Sequence, residues 1–534
     1  MRRARLLAER NTAPLDEAVD AVIEAKRQHR SRRQMLRSLG QAGLAVLGMP
    51  FAVSALPAML SACEQRVSAV GSQRSVPRIA IIGGGLAGLS AAYTLYKAGV
   101  RSTVYEASKR LGGRVMTGRG IVGEGILTEL GGEFVNSSHR ALQALLREFQ
   151  MELLDTEQTS ERELRDAFWF GGQMRSEREV SQALEGFVKQ STSDVQHFLR
   201  SRQRPSTSTV LSRIDKMSAA EYLVSQGVSG WTQQYLHAML LSEFGAEPSE
   251  MSAINVLAAL AGEVATSAER GYDGEDDERY KIKAGGSELL RRMAELLQAT
   301  APDSIVYERR LVRLAAQGAS YNLTFETANG SVSELQADVV ICALPLSVLR
   351  TVELQIPLPT QQRRAIQELG YGTNAKCIVG MSSPVWRGSG YSGNLSSDTL
   401  LQGGWDSSLL QGAPTAAFTV FLGGREGATL GNTPAAANAT RYLQPLTMIF
   451  RGTQTAFTGK AQQISWSDEP FARGSYACFR VGQVTAFAEH LAKPVGNVLF
   501  AGEHCSSHFQ GYMNGAVETG IKAAQSVMTT LNKR

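Results

Sequence analysis

The sequence predicts an α/β fold: a parallel sheet flanked by helices, interleaved with a second domain of mixed sheet and helical cap. Three observations predict it. Residues 78–110 read as strand, glycine turn, helix and strand, closing on an acid. Asp338 to Pro345 reads as another buried strand with a stop, and Leu499 to Gly520 as strand, loop and helix. Between these pieces, residues 139–280 carry apolar residues at helical spacing, as in Leu142, Leu145, Leu146 and Phe149.

The first piece organises the rest. Ile79 to Ile82 is apolar, bounded by glycine and too short for a helix, so it is predicted as a buried strand. Gly83, Gly85 and Gly88 satisfy G-x-G-x-x-G. The first allows the tight turn, the second lets backbone approach a pyrophosphate, and the third lets helix and sheet pack closely. A helix is predicted from about Leu86 to Lys97, stopped by Gly99. Its first residues, Leu86 and Ala87, put free N–H groups and the positive dipole end toward phosphates. Arg101 to Tyr105 reads as the second strand. It ends in Glu106 and Ala107, and Glu106 stands 18 residues after Gly88, where a carboxylate accepts ribose hydroxyls. This is a Rossmann-like dinucleotide site. Glu106 disfavours a 2′-phosphate and hence NADP; FAD and NAD both remain open on these residues alone.

Composition excludes some classes. At 534 residues the chain accommodates two or more domains. Its formal charge of +5 comes from one end: ten of the 55 basic and five of the 50 acidic residues lie in 1–62. The remainder is neutral, with no nucleic-acid signature. Cys63, Cys342, Cys377, Cys478 and Cys505 form no C-x-x-C pair, so neither a zinc site nor a disulfide scaffold is expected. Cys342 and Cys377 read as buried free thiols.

The first 62 residues are expected to be an export signal. Arg32 and Arg33 precede an uncharged stretch that runs to Glu64, with glycines and prolines inside and small residues at its end. That is the form of a twin-arginine signal, used by proteins exported already folded around a cofactor. A retained anchor is the alternative. Leu60-Ser61-Ala62-Cys63 resembles a lipobox, which makes Cys63 a candidate lipid attachment point. Residues 63–76 read as a polar tether. The expected location is exported, periplasmic or anchored on the outer side of the cytoplasmic membrane, with the twin-arginine machinery as a partner.

Two further glycine turns follow the first motif. Leu111-Gly112-Gly113-Arg114 offers backbone freedom and a guanidinium that pairs with a diphosphate. Glu129-Leu130-Gly131-Gly132-Glu133-Phe134 is a turn where backbone passes close to a flat ring. With these residues the chain resembles the flavin-containing amine oxidases, the family of monoamine, polyamine and L-amino-acid oxidases. The resemblance runs from about Arg78 to the C-terminus and decides for FAD.

It implies more. Lys376, in Leu369 to Val379, matches the family's lysine that holds a water beside flavin N5. Tyr476 and Tyr512 match the two tyrosines of the monoamine oxidase aromatic cage. The equivalent of Val312 contacts the adenine side through its backbone. Gly502, Glu503, Gly511, Tyr512 and Met513 belong to the strongest matching stretch, whose helix near Met513 faces the flavin and stabilises negative charge there. Some members link FAD through a cysteine before the cage tyrosine. Ser475 stands there, so FAD is expected to be non-covalent. The snake-venom L-amino-acid oxidases carry a carboxylate-clamping arginine after the second glycine turn; here none comes before Arg140.

The expected FAD-binding domain is discontinuous, 77–138, 281–351 and 481–534. The substrate domain with its cap is 139–280 and 352–480. Val306 to Leu314 and Tyr321 to Thr327 are expected as strands, and Glu269 to Arg279 as a charged surface loop. The expected activity is oxidation of a small amine by FAD and dioxygen, releasing hydrogen peroxide. An L-amino-acid oxidase, or a flavoprotein without amine chemistry, is the alternative. No metal is expected, and a homodimer is left open.

Overall fold

The computed structural model describes residues 77–158, 160–161, 163–264 and 277–532. The paired arginines and Cys63 lie outside that range.

At the centre is a five-stranded parallel sheet. In spatial order its strands are Ile305–Val306, Thr103–Tyr105, Ile79–Ile82, Val339–Cys342 and Val498–Phe500. Ile79 to Ile82 and Val339 to Cys342 are buried on both faces, which is why they read as unbroken apolar runs. The helix Leu86–Lys97 leaves the first strand through the glycine turn. A Cβ on Gly88 would stand 2.0 Å from the Gly83 carbonyl oxygen, so only glycine lets this helix start so close to the strand. The last helix, Met513–Asn532, packs on the first one, with Gly520 against the Ala87 backbone.

A seven-stranded mixed sheet forms the second layer. It joins Phe457–Ser465, Ala375–Met381, Ala416–Leu422, Gly403–Asp406 and Tyr391–Ser397 to Arg165–Phe170 and Gln173–Arg175. Against it lies the helix Gly230–Phe244, with Glu177–Ser201 and Ile254–Val264 packed on each other in the same apolar cluster. Leu142, Leu145 and Leu146 are buried on one face of the helix Arg140–Glu148.

The chain crosses between the two layers through a three-stranded sheet of Phe134–Val135, Tyr280–Ile282 and Leu153–Asp155. The expected divisions at 138/139 and 280/281 therefore fall at or inside one sheet.

Two local expectations change. The stretch from Val306 to Leu314 is two strands, because Glu308 takes a left-handed φ of 56° and turns the chain out of the parallel sheet. The second part, Arg310–Gln317, joins a four-stranded mixed sheet instead, antiparallel to Ser320–Glu326 and parallel to Glu353–Gln355. Most of Glu269 to Arg279 lies outside the described residues; its end, 277–279, has no regular structure, as a loop, but turns Asp277 inward. Asp277 is 2% exposed and accepts the Ser137 N–H, while Arg279 pairs with Asp155 at 2.7 Å. Cys342 and Cys377 are buried free thiols, pushed up to about 11 and about 12 by burial.

Candidate active site

One cavity of about 1590 Å³ runs from the glycine turns to the helical cap. All of the residues singled out from the sequence line it, apart from Gly88, which packs helix on strand, and Val312. Val312 sits at a bulge in Arg310–Gln317, its backbone out of register with the neighbouring strand. Arg310 and Leu311 beside it do line the cavity.

At one end the first two glycine turns meet. Gly112 N–H donates to the Gly84 carbonyl at 2.9 Å, tying the second turn to the first. Glu106 is buried and accepts from Gly84 N at 2.7 Å and Ser108 N at 2.8 Å, one on each oxygen. Each oxygen keeps a lone pair for a further donor. Arg114 reaches across to the C-terminal segment: its Nη1 donates to the Ser475 carbonyl at 2.7 Å and to Glu503 at 2.9 Å. Burial alone would raise the Glu503 carboxyl, but Arg114, His504 and the Gly511 N–H hold it below the usual range.

The middle is the third glycine turn, Glu129 to Phe134. A Cβ on Gly131 would overlap the Arg114 carbonyl, and one on Gly132 would press on Met513 at 3.0 Å. Lys376, on Ala375–Met381, is 4% exposed. Its ammonium donates to the carbonyls of Glu129 (2.7 Å) and Gly131 (2.9 Å) and to Glu133 Oε2 (2.9 Å). An ammonium has three hydrogens. All three have protein acceptors. Trp405 and Phe421 stand 5.1 and 6.0 Å from it.

At the far end Tyr476 and Tyr512 come together on the cavity wall. The Tyr476 hydroxyl donates to the Ser242 carbonyl at 3.0 Å and the Tyr512 hydroxyl to Glu243 Oε1 at 3.1 Å. Both acceptors are at the end of the cap helix Gly230–Phe244. Under Tyr512, His139 meets its ring edge-on, with centroids 5.1 Å apart. Helical spacing predicted that helix region, but nothing in it marked Ser242 and Glu243 as partners of residues more than 230 positions away. Glu133 was expected only as a cofactor contact, and its two lysine partners were not foreseen.

Two observations test whether FAD fits this cavity. Gly85 has an ordinary φ of −76°, and a Cβ there would have no protein atom nearer than 3.9 Å. Neither strain nor packing within the protein calls for glycine, so the space serves a ligand. His504 is 2% exposed on the cavity wall, and both its ring nitrogens lack a partner. Burial pushes it down to about 4, so it is neutral at physiological pH. An orphaned polar ring of that kind wants a polar ligand. The donors and acceptors suit FAD: Glu106 for ribose hydroxyls, the start of Leu86–Lys97 for pyrophosphate, and Gly131 and Gly132 for a flat ring. Among the described residues no His, Cys, Asp and Glu are grouped to hold a metal.

Residues 86–528 match the family described as flavin containing amine oxidoreductase. The chain is 25% identical over 476 residues to an L-amino-acid oxidase of Pseudechis australis, covering 84% of this chain and 86% of that protein. It is 25% identical over 464 residues to the flavin-containing amine oxidase B of Sus scrofa, covering 85% and 86%. Cyclohexylamine oxidase from Brevibacterium oxydans shares the fold, with a TM-score of 0.73 at 20% identity over 85% of this chain and 99% of that one. Putrescine oxidase bound to putrescine shares it with a TM-score of 0.72 at the same identity and coverage.

Proposed function

Because this chain belongs to the family of flavin containing amine oxidoreductases, and is on that ground an FAD-dependent enzyme, we propose that its substrate is a small amine, aromatic or aliphatic, without a carboxylate. When bound, FAD takes a hydride equivalent from the carbon bearing the amine, giving an imine that water hydrolyses to aldehyde and ammonia, and passes both electrons to dioxygen to give hydrogen peroxide.

The observation that carries the choice of substrate is the tie between the tyrosines and the cap. A tyrosine hydroxyl has one hydrogen to donate. Tyr476 gives its to Ser242 and Tyr512 gives its to Glu243, so neither donates to a substrate carboxylate. What the two rings offer is apolar surface and π faces, which desolvate a neutral amine and orient its nitrogen. Glu243 also sets a carboxylate where an α-carboxylate would be repelled. Release of hydrogen peroxide from a panel of amines and L-amino acids tests this: amines give it, amino acids do not. A second reading, an L-amino-acid oxidase, is favoured by Arg140 and Arg202, two guanidinium groups on the same cavity.

FAD is held here without a covalent link. Ser475 is buried and hydrogen-bonded to Asn374 at 2.7 Å, and it has no sulfur to form a thioether. Cys478 is fully buried. Cys505 lines the cavity, but burial raises its thiol well above the ordinary value, which makes it a poor nucleophile. Arg32, Arg33 and Cys63 support export by the twin-arginine route, with lipid attachment at Cys63.

A further inference from the structure

Lys376 and Glu133 both line the cavity, and each is nearly fully buried. Taken alone they would be a neutral pair, and the wall between the glycine turn and the tyrosines would carry no charge. A third ion changes this. Lys281, on the strand Tyr280–Ile282 directly opposite Phe134, donates to Glu133 Oε1 at 2.9 Å and to the Ser407 carbonyl at 3.0 Å. The Trp405 indole N–H donates to the same carboxylate oxygen at 3.0 Å. The side chains of Lys281, Glu133 and Lys376 are 7%, 3% and 5% exposed.

A buried pair of one cation and one anion carries no net charge. Here one carboxylate has two ammonium partners. We propose that Lys281 is a positioning residue of the oxidation site: by balancing Glu133 from behind, it leaves the Lys376 charge uncompensated, so that the three residues hold one net positive charge at the flavin end of the cavity. This rests on the reading of Lys376 as the lysine beside the flavin.

The surrounding groups agree with that count. Burial would raise the Glu133 carboxyl, but Lys281 and Lys376 hold it below the usual range, so it stays ionised. Glu129 and Asp406 are the other acids facing these lysines. Burial raises both, Glu129 to about 7; Asp406 lies 3.6 Å from Arg387, which it shares with Glu161 at 2.5 Å, and Lys281 acts on it as well. In so poorly solvated a place, one charge acts strongly over a few ångströms. A positive charge there favours negative charge on a reduced flavin.

The test is the reduction potential of the bound FAD, read anaerobically against a reference dye in the holoenzyme. Lys281→Arg keeps the charge, whereas Lys281→Gln keeps a hydrogen-bond donor and loses the charge. Lys376→Met is the control for the flavin reading. Lys281→Gln and Lys376→Met are each expected to lower the reduced-to-oxidised ratio at fixed potential by about tenfold, ~30 mV for a two-electron couple. Lys281→Arg is expected to leave it unchanged. Glu133→Gln, which removes the anion, is expected not to lower it. A merely structural cluster predicts losses of one sign in every variant, Glu133→Gln included, and that pattern overturns the proposal. So does a Lys281→Gln enzyme at the wild-type potential while Lys376→Met is shifted. If Lys376→Met itself leaves the potential in place, the flavin-side reading of Lys376 is what fails.

Discussion

The hydroxyl of Tyr512 donates to Glu243 Oε1 at 3.1 Å, across 269 residues of sequence, and so binds one wall of the cavity to the end of the cap helix. Tyr476 makes the matching bond to the Ser242 carbonyl. With the hydroxyls bonded to the cap, the rings are proposed to serve the substrate. Phe at either position is expected to keep turnover within a few fold. Ala is expected to lower kcat/KM by about a hundredfold, the scale on which misorientation acts, with FAD still bound. Steady-state kinetics beside an FAD absorbance ratio checks this. A Phe variant as damaged as the Ala variant would transfer the role to the hydroxyl and favour the amino-acid reading.

Glu106 accepts from Gly84 N of the glycine turn on one oxygen and from Ser108 N on the other, and each keeps a lone pair for a further donor. Glu106→Ala is expected to weaken FAD binding by ~1.5–3 kcal/mol, the worth of a charge-assisted hydrogen bond. Fluorescence titration of the apoprotein measures it, and unchanged affinity removes Glu106 from the ribose. In the wild-type enzyme, acid precipitation is expected to release all the yellow colour into the supernatant; colour in the pellet contradicts non-covalent binding.

Glu129 is buried beside Glu133 and Lys376, with its oxygens on Gly286 N and the Thr117 hydroxyl. Burial first, and then the negative Glu133, raise it from 4.5 to about 7, while Gly286, Thr117 and Lys376 act in the opposite sense. Between those two values the folded chain keeps a proton that the unfolded chain has lost. Stability therefore falls as pH rises from about 4.5 through 7 and then levels. Glu129→Gln is expected to abolish that part of the slope, so the gap in Tm between variant and wild type widens in the variant's favour from pH 5 to pH 8. Parallel Tm curves across that range contradict it.

Export is expected to need both arginines. Replacing Arg32 and Arg33 with lysine should leave active, unprocessed protein in the cytoplasm, and Cys63→Ala should move the protein from the membrane fraction to the soluble one. Normal processing of the lysine variant, or an unaltered membrane fraction, contradicts the corresponding half of this proposal.

How far the sequence was legible follows from the range of each interaction. Ile79 to Glu106 could be read residue by residue, because its strand, turn, helix and acid are set by local periodicity and glycine placement. Lys376 and the two tyrosines were found through resemblance; their burial is a property of the fold. Lys281 was missed because a lone lysine in a strand ordinarily faces water, and its partner Glu133 is brought to it only by pairing of Phe134–Val135 with Tyr280–Ile282. Asp277 misled for the same reason: it belongs to a strongly charged stretch, yet it is buried and accepts the backbone N–H of Ser137.

The central claim is amine oxidation at this cavity. Its most direct test is anaerobic mixing of the purified yellow protein with amines and L-amino acids, followed at the flavin absorbance band. The account predicts bleaching by one or more primary amines lacking a carboxylate, and none by the corresponding L-amino acids. Bleaching by L-amino acids alone, or by nothing in either set, would contradict it.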